Sequence, residues 1–250
     1  MFGEAGVRAV EQVLPDLRER LGADFCIANA ENAYEGRGIK AGEAERLLAA
    51  GADALTLGNW TLGQRPFARY LAESERVVRP ANLAPDTPGR GLAVFTAREG
   101  TRLAVANVLG QFALDPAESP FAVIDDLVDR ARAEARVVVV DVHAEATSEK
   151  VALARWLDGR VTAVIGTHTH VQTADARVLP GGTAAITDAG MTGPHDSVIG
   201  VRAELAIARM RTKLPVRFEP AEGGVRLEGV VVTCTEGGRA EAMELLRLPL

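Results

Sequence analysis

The chain has 250 residues and a formal charge of −6 at pH 7, and its lysines and arginines are scattered, so it carries no basic footprint for tracking a nucleic-acid polymer. Hydrophobic residues make up 47% of it, enough for a substantial core in a single domain spanning 1–250. The opening "MFGEAGVRAVEQ" lacks a basic segment followed by an apolar one, and no apolar run reaches membrane-spanning length, so a cytoplasmic protein with no membrane partner is expected.

The first predicted element is a helix over 5–21, entered from the turn "FGEAG" with no strand ahead of it, an unusual opening for a doubly wound sheet. From there short apolar runs alternate with amphipathic stretches. A strand "FCIA" precedes a helix over 40–50, and "ALTL" precedes a helix over 64–73. The Pro- and Gly-rich 80–91 reads as a surface loop. Strands "LAVF" and "LAVANVL" lead to a helix over 119–134, "VVVVDV" to one over 149–157, and "VTAVI" precedes a last helix over 202–212. Runs apolar throughout, such as "RVVVVDV", imply strands covered on both faces, whereas the partly alternating "VRLEGVVVTCT" suits an antiparallel edge or second sheet. The expectation is an α/β fold of two packed sheets flanked by helices. Cys26 and Cys234, far apart in strand-like runs, suit buried reduced thiols.

Polar side chains collect where the apolar runs end. "CIANAEN" closes on Asn29, Glu31 and Asn32, "ALTLGN" on Asn59, "VVVVDVHAEATSE" on Asp141, His143 and Glu145, "VIGTHTH" on His168 and His170, and "AAITDAG" on Asp188. Singly, each has a structural reading. The paired histidines could bond loop backbone, Asn32 and Asn59 could be turn residues, Glu31 could be solvated and His143 could cap a helix. Jointly they change meaning, because strand C-terminal ends share one edge of an open α/β sheet, where ligands bind. Imidazole nitrogen, carboxylate oxygen and amide oxygen together suit Mn, Fe or Zn rather than Ca. The set exceeds what one tetrahedral ion needs. A carboxylate, here Glu31, can bridge two ions about 3.5–4 Å apart, the arrangement used for in-line phosphoryl displacement by an activated water.

These residues carry a resemblance. Through "IANAENAYEGRGI", "LTLGN", "VVRPANLAPDTPGRG", "VDVHAEATSEK" and "VIGTHTHVQTADARVLPGGTAAITDAGMTGPHDSVIG", the chain resembles the bacterial YmdB-like branch of the calcineurin-like metallophosphoesterases from residue 2 to about residue 235. The resemblance implies a β-sandwich flanked by helices and hydrolysis of small phosphodiesters, usually 2′,3′-cyclic nucleotides, by a metal-bound hydroxide. It also implies two Fe, Mn or Zn ions and self-association. Position by position, it implies that Glu31 bridges the two metals, that Asn59, His143 and His168 complete one site, and that Asn32 and His170 contribute to the other.

Two departures from the family pattern stand out. Family members begin with a strand ending Gly-Asp, whose Asp ligates the first metal, and here Met1 stands where the residue after that Asp would be. Omitting a central strand leaves buried backbone groups unpaired at roughly 1–3 kcal/mol each, so a start placed too late is expected rather than a stable truncation. The second departure is internal. Where the family has Gly-Asn-His, with the His placed to protonate the leaving oxygen, this chain has "GNW", and the Trp60 indole donates a hydrogen bond but does not titrate as a useful acid. The catalytic acid is therefore unassigned; His195 in "GPHDS" could substitute or be a loop histidine. A competing reading follows, in which a catalytically impaired relative binds metal or nucleotide and acts as a regulator, with Trp60 stacking on a base.

Overall fold

The computed structural model describes residues 1–114 and 117–250. The chain enters helix α1 (Gly3–Leu21) directly, and Gly22, in the left-handed region at φ 60°, closes it. There follow β1 (Ile27–Asn29), α2 (Ala41–Ala49), β2 (Ala54–Thr56), α3 (Phe67–Glu73), β3 (Val77–Val78), β4 (Leu92–Thr96) and β5 (Arg102–Leu109). Helix α4 (Pro120–Glu134) leads to β6 (Val137–His143), and α5 (Thr147–Trp156) to β7 (Ala163–Thr167), β8 (Arg177–Val178), β9 (Ala184–Ile186) and β10 (Gly193–Pro194). Helix α6 (Ala203–Thr212) and the hairpin β11 (Val225–Cys234) and β12 (Ala240–Pro249) complete the order. The six expected helices are all present, with ends moved by at most a few residues.

The arrangement is the expected mixture of sheets and helices, but the strands divide among three hydrogen-bonded sheets rather than two. The largest runs β4-β5-β6-β7-β9-β8. Its members β5, β6, β7 and β9 are parallel, with β4 and β8 antiparallel at the edges. A parallel β1-β2-β3 sheet and an antiparallel β10-β11-β12 sheet are the other two.

The unbroken apolar runs are explained by two covers. Even-numbered residues of the large sheet, Ala104, Ala106, Val138, Val140 and Val164, join Ile124, Leu127, Val128 and Ala131 of α4 and Leu153 of α5 in one core. The spacing of those α4 residues is that of one helical stripe. On β5, β6 and β7 the odd-numbered residues face the small sheets. Val105 and Val137 meet Ala54 and Val78, while Ala163 and Ile165 meet Ala240, Val232 and Met243. Period-two alternation therefore sends each strand's neighbours to opposite layers. The consequence for function is that Asn107, Asp141, His143 and Thr167, all odd, lie on the face turned toward the small sheets.

Residues 80–91 form the expected loop, ordered by Arg79, whose guanidinium donates to the Pro80 carbonyl at 2.8 Å and the Thr87 carbonyl at 3.1 Å. Both cysteines are free thiols, and burial pushes Cys26 up to about 11. No helix among the described residues is long and apolar enough to cross a membrane.

Candidate metal centre

His143 ends β6, and its ring is held from outside. Thr167, its register partner on β7, donates its hydroxyl proton to Asp141 Oδ1 at 2.7 Å, so its oxygen accepts from His143 Nδ1–H at 2.9 Å. Asp141 also receives the Asn29 amide at 3.1 Å and the Thr56 hydroxyl, which ties β1 and β2 to β6. The proton is thereby kept on Nδ1, and Nε2 presents a lone pair inward. His168, just past β7, is held in the mirror sense: Nε2–H donates to Glu145 at 3.0 Å, so Nδ1 faces inward.

What those two nitrogens face decides the chemistry. His143 Nε2 lies 2.8 Å from Glu31 Oε1, 3.1 Å from Asn59 Oδ1 and 3.0 Å from His168 Nδ1. Four lone-pair donors converge where one proton could satisfy only one contact, and Glu31 and His143 are each 1% exposed. A shared cation satisfies all of them, and the mixed N/O set suits a borderline transition metal. Glu31, His143 and His168 all offer ligand atoms within 4.8 Å of one another. The electrostatics agree in sign. Burial alone would raise the Glu31 carboxyl, but the adjacent His143 imidazole holds it below its ordinary value. Burial alone would lower His143, and Glu31 outweighs burial and raises it.

A second group adjoins the first. His170 Nδ1–H donates to the Ile199 carbonyl at 2.9 Å, turning Nε2 toward Asn32 Oδ1 at 3.3 Å. Asn32 directs its amide nitrogen to the Gly36 carbonyl at 2.9 Å, which leaves that oxygen free for a ligand role. The Phe2 ring packs edge-on against His170 at 5.5 Å. The Met1 α-amino group, donating to the Asn29 carbonyl at 2.7 Å, is lowered by burial to about 6. All six predicted donors thus fall into two adjoining clusters, Glu31–Asn59–His143–His168 and Asn32–His170.

The sequence model of the YmdB-like proteins matches residues 1–246. The chain belongs to the YmdB-like family. A 2′,3′-cyclic-nucleotide 2′-phosphodiesterase of Bacillus subtilis is 45% identical over 232 residues, 93% of this chain and 88% of that protein. A hypothetical protein from Thermus thermophilus, known as a crystal structure, superposes with a TM-score of 0.93 at 43% identity, covering 99% of this chain and 96% of that one. A crystal structure described as a novel phosphatase, from Mycoplasma pneumoniae, gives 0.92 at 34% identity, covering 99% and 90%.

Within this YmdB-like chain the remaining polar residues take distinct places. Trp60 donates its backbone N–H to Glu31 Oε2 at 3.1 Å, so position 60 serves the centre through its main chain. Its ring is half-buried, with the Arg37 guanidinium 5.2 Å from the ring centroid. His195 Nε2–H donates to the Met191 carbonyl at 3.0 Å, as a loop histidine does. Asp188 is buried against Thr169 rather than against any of the six donors. Gly58 is required where it stands, because a Cβ there would fall 2.3 Å from Glu31 Oε2 and 2.4 Å from the His143 ring. The supporting Thr56 and Thr167 were invisible to motif reading, since a threonine at a strand end looks like ordinary strand composition.

Proposed function

We propose that this YmdB-like chain is a metal-dependent phosphoric diester hydrolase acting on small phosphodiesters, with 2′,3′-cyclic nucleotides the favoured class. The observation that carries the proposal is the convergence of Glu31, Asn59 and two inward lone pairs from His143 and His168. In this reading Glu31 would be shared by two divalent ions, Fe, Mn or Zn. Asn59, His143 and His168 complete one position, and Asn32 and His170 contribute to the other. When bound, such ions supply positive charge for the phosphoryl oxygens and a water activated near neutral pH. The protein's own residues do the rest. Asp141 and Thr167 keep the His143 proton outward, Glu145 orients His168, and the Trp60 amide holds Glu31.

Purified protein assayed with Mn²⁺ and 2′,3′-cyclic AMP tests the proposal. Hydrolysis is expected, together with its loss in His143→Ala; hydrolysis that survives this substitution unchanged would sink it.

A second reading, a metal- or nucleotide-binding regulator with impaired turnover, is favoured by one observation: the ring at position 60 cannot act as the leaving-group acid. A missing general acid lowers rates by about 10²–10⁴-fold, so Trp60→His is expected to raise kcat well above wild type. No gain in kcat would remove the argument for impairment.

The finer structural expectations belong to the same proposal. The large sheet and the two small ones are read as the layers of a sandwich, supported by the shared apolar faces. A cytoplasmic site and self-association are retained; the exposed Ile207, Met210 and Leu214 offer apolar surface for the latter.

A further inference from the structure

A buried charge pair stands behind the candidate centre, and none of the six donors uses it. Lys150 on α5 and Asp188, just past β9, are 2% and 0% exposed, with Nζ 3.0 Å from Oδ2. Removing two charges from water is unfavourable unless every lone pair and proton finds a partner, so such a pair is a weak device for stability alone. Here the carboxylate is fully engaged. Oδ2 also accepts the Thr169 backbone N–H at 2.9 Å and the Thr169 hydroxyl at 2.8 Å, and Oδ1 accepts the Gly190 N–H at 2.9 Å.

Thr169 is the residue between the two histidines, and the backbone there is strained on both sides. His168 has φ 103° and His170 φ 63°, a region that residues with a Cβ seldom adopt. Strain of this kind persists only where surrounding contacts over-determine it. The Ala189 N–H bonds the Gly166 carbonyl at 2.9 Å. A Cβ at Gly166 would fall 1.7 Å from the Thr187 carbonyl oxygen, so the end of β7 and the segment after β9 meet backbone to backbone.

We propose that Lys150 and Asp188 are positioning residues: they brace Thr169 so that the His168-Thr169-His170 turn keeps its strained form and presents both imidazoles to their two ions at once. The inference rests on the metal reading above and deepens it. It explains why the brace is charged. An amide at 188 offers one acceptor oxygen and sets an NH₂ against N–H donors, so it cannot replace a carboxylate that takes four hydrogen bonds. Lys150 supplies the counter-charge from a helix that carries no ligand.

The test uses the full chain and Mn²⁺ alone, read by calorimetric titration and by electron paramagnetic resonance of the bound ions. The variants are Lys150→Met with Asp188→Asn, which removes both charges at similar volume, then Thr169→Val and Thr169→Ser. The folded double variant is expected to bind Mn²⁺ about 10–100-fold more weakly and to lose the signal of two coupled ions. Thr169→Val should weaken binding several-fold, and Thr169→Ser should keep wild-type affinity. Wild-type affinity and an unchanged resonance spectrum in the folded double variant would overturn the brace. Should the double variant fail to fold, unchanged affinity in Thr169→Val overturns it instead. Wild-type protein that takes up no Mn²⁺ is a different failure, because it removes the metal reading and the brace with it.

Discussion

At residue scale the centre is governed by which nitrogen of each ring holds a proton. Thr167 accepts from His143 Nδ1 only because its own proton is committed to Asp141. Thr167→Val keeps the volume and removes that acceptor, so Mn²⁺ affinity should fall about 10–100-fold with little change in fold, measurable by competition with a chromogenic chelator. Affinity within twofold of wild type would show that the relay does not matter. The raised His143 pKa carries a second prediction, with a definite sign. In the metal-free chain the imidazolium–Glu31 contact contributes stability fully present below the ordinary 6.5 and lost as pH rises through the raised value. A cation must displace that proton, so its affinity rises with pH in the window above 6.5. Burial lowers His168 and His170, so they contribute less to that dependence than His143 does. Calorimetry at pH 7 in buffers of differing ionisation enthalpy should show net proton release on Mn²⁺ binding. A binding heat independent of buffer would contradict this.

At the scale of elements, the two faces of the large sheet have separate duties. Helix α4 closes the even face, and the candidate centre lies at the odd one. Ile124→Ala should therefore destabilise the chain by about 2–5 kcal/mol in urea while leaving Mn²⁺ affinity unchanged, and a parallel loss of affinity would show that the faces are coupled. That separation was legible in the sequence where elements were long enough to carry a period. "VVVVDV" announced a strand covered twice, and the amphipathic 119–134 announced a helix, which packs through Ile124, Leu127, Val128 and Ala131. The two-residue strands β3, β8 and β10 were not legible, because two residues define no alternation. Nor was the division into three sheets, which depends on pairing between distant segments. The six candidate donors could be named because they follow apolar runs. Their supports could not: in "TSEKVAL" Lys150 looks like a solvated helix charge, yet α5 turns it inward.

At the scale of the whole molecule, the donors come from segments that have no other reason to meet. A cation recognised only by the folded arrangement stabilises it by mass action, about 2.7 kcal/mol at one hundred times its Kd. For a chain of this length that corresponds to a rise in Tm of roughly 5–10 °C. Thermal unfolding with and without Mn²⁺ checks this, and coincident transitions would exclude ordered binding. The same wide spacing bears on biosynthesis. Glu31 emerges from the ribosome early, His143, His168 and His170 much later, and Asp188 later still. A half-made polypeptide therefore exposes only fragments of the cluster and has no means of selecting an ion while translation continues. On the metal reading, ion loading is therefore left to the finished chain.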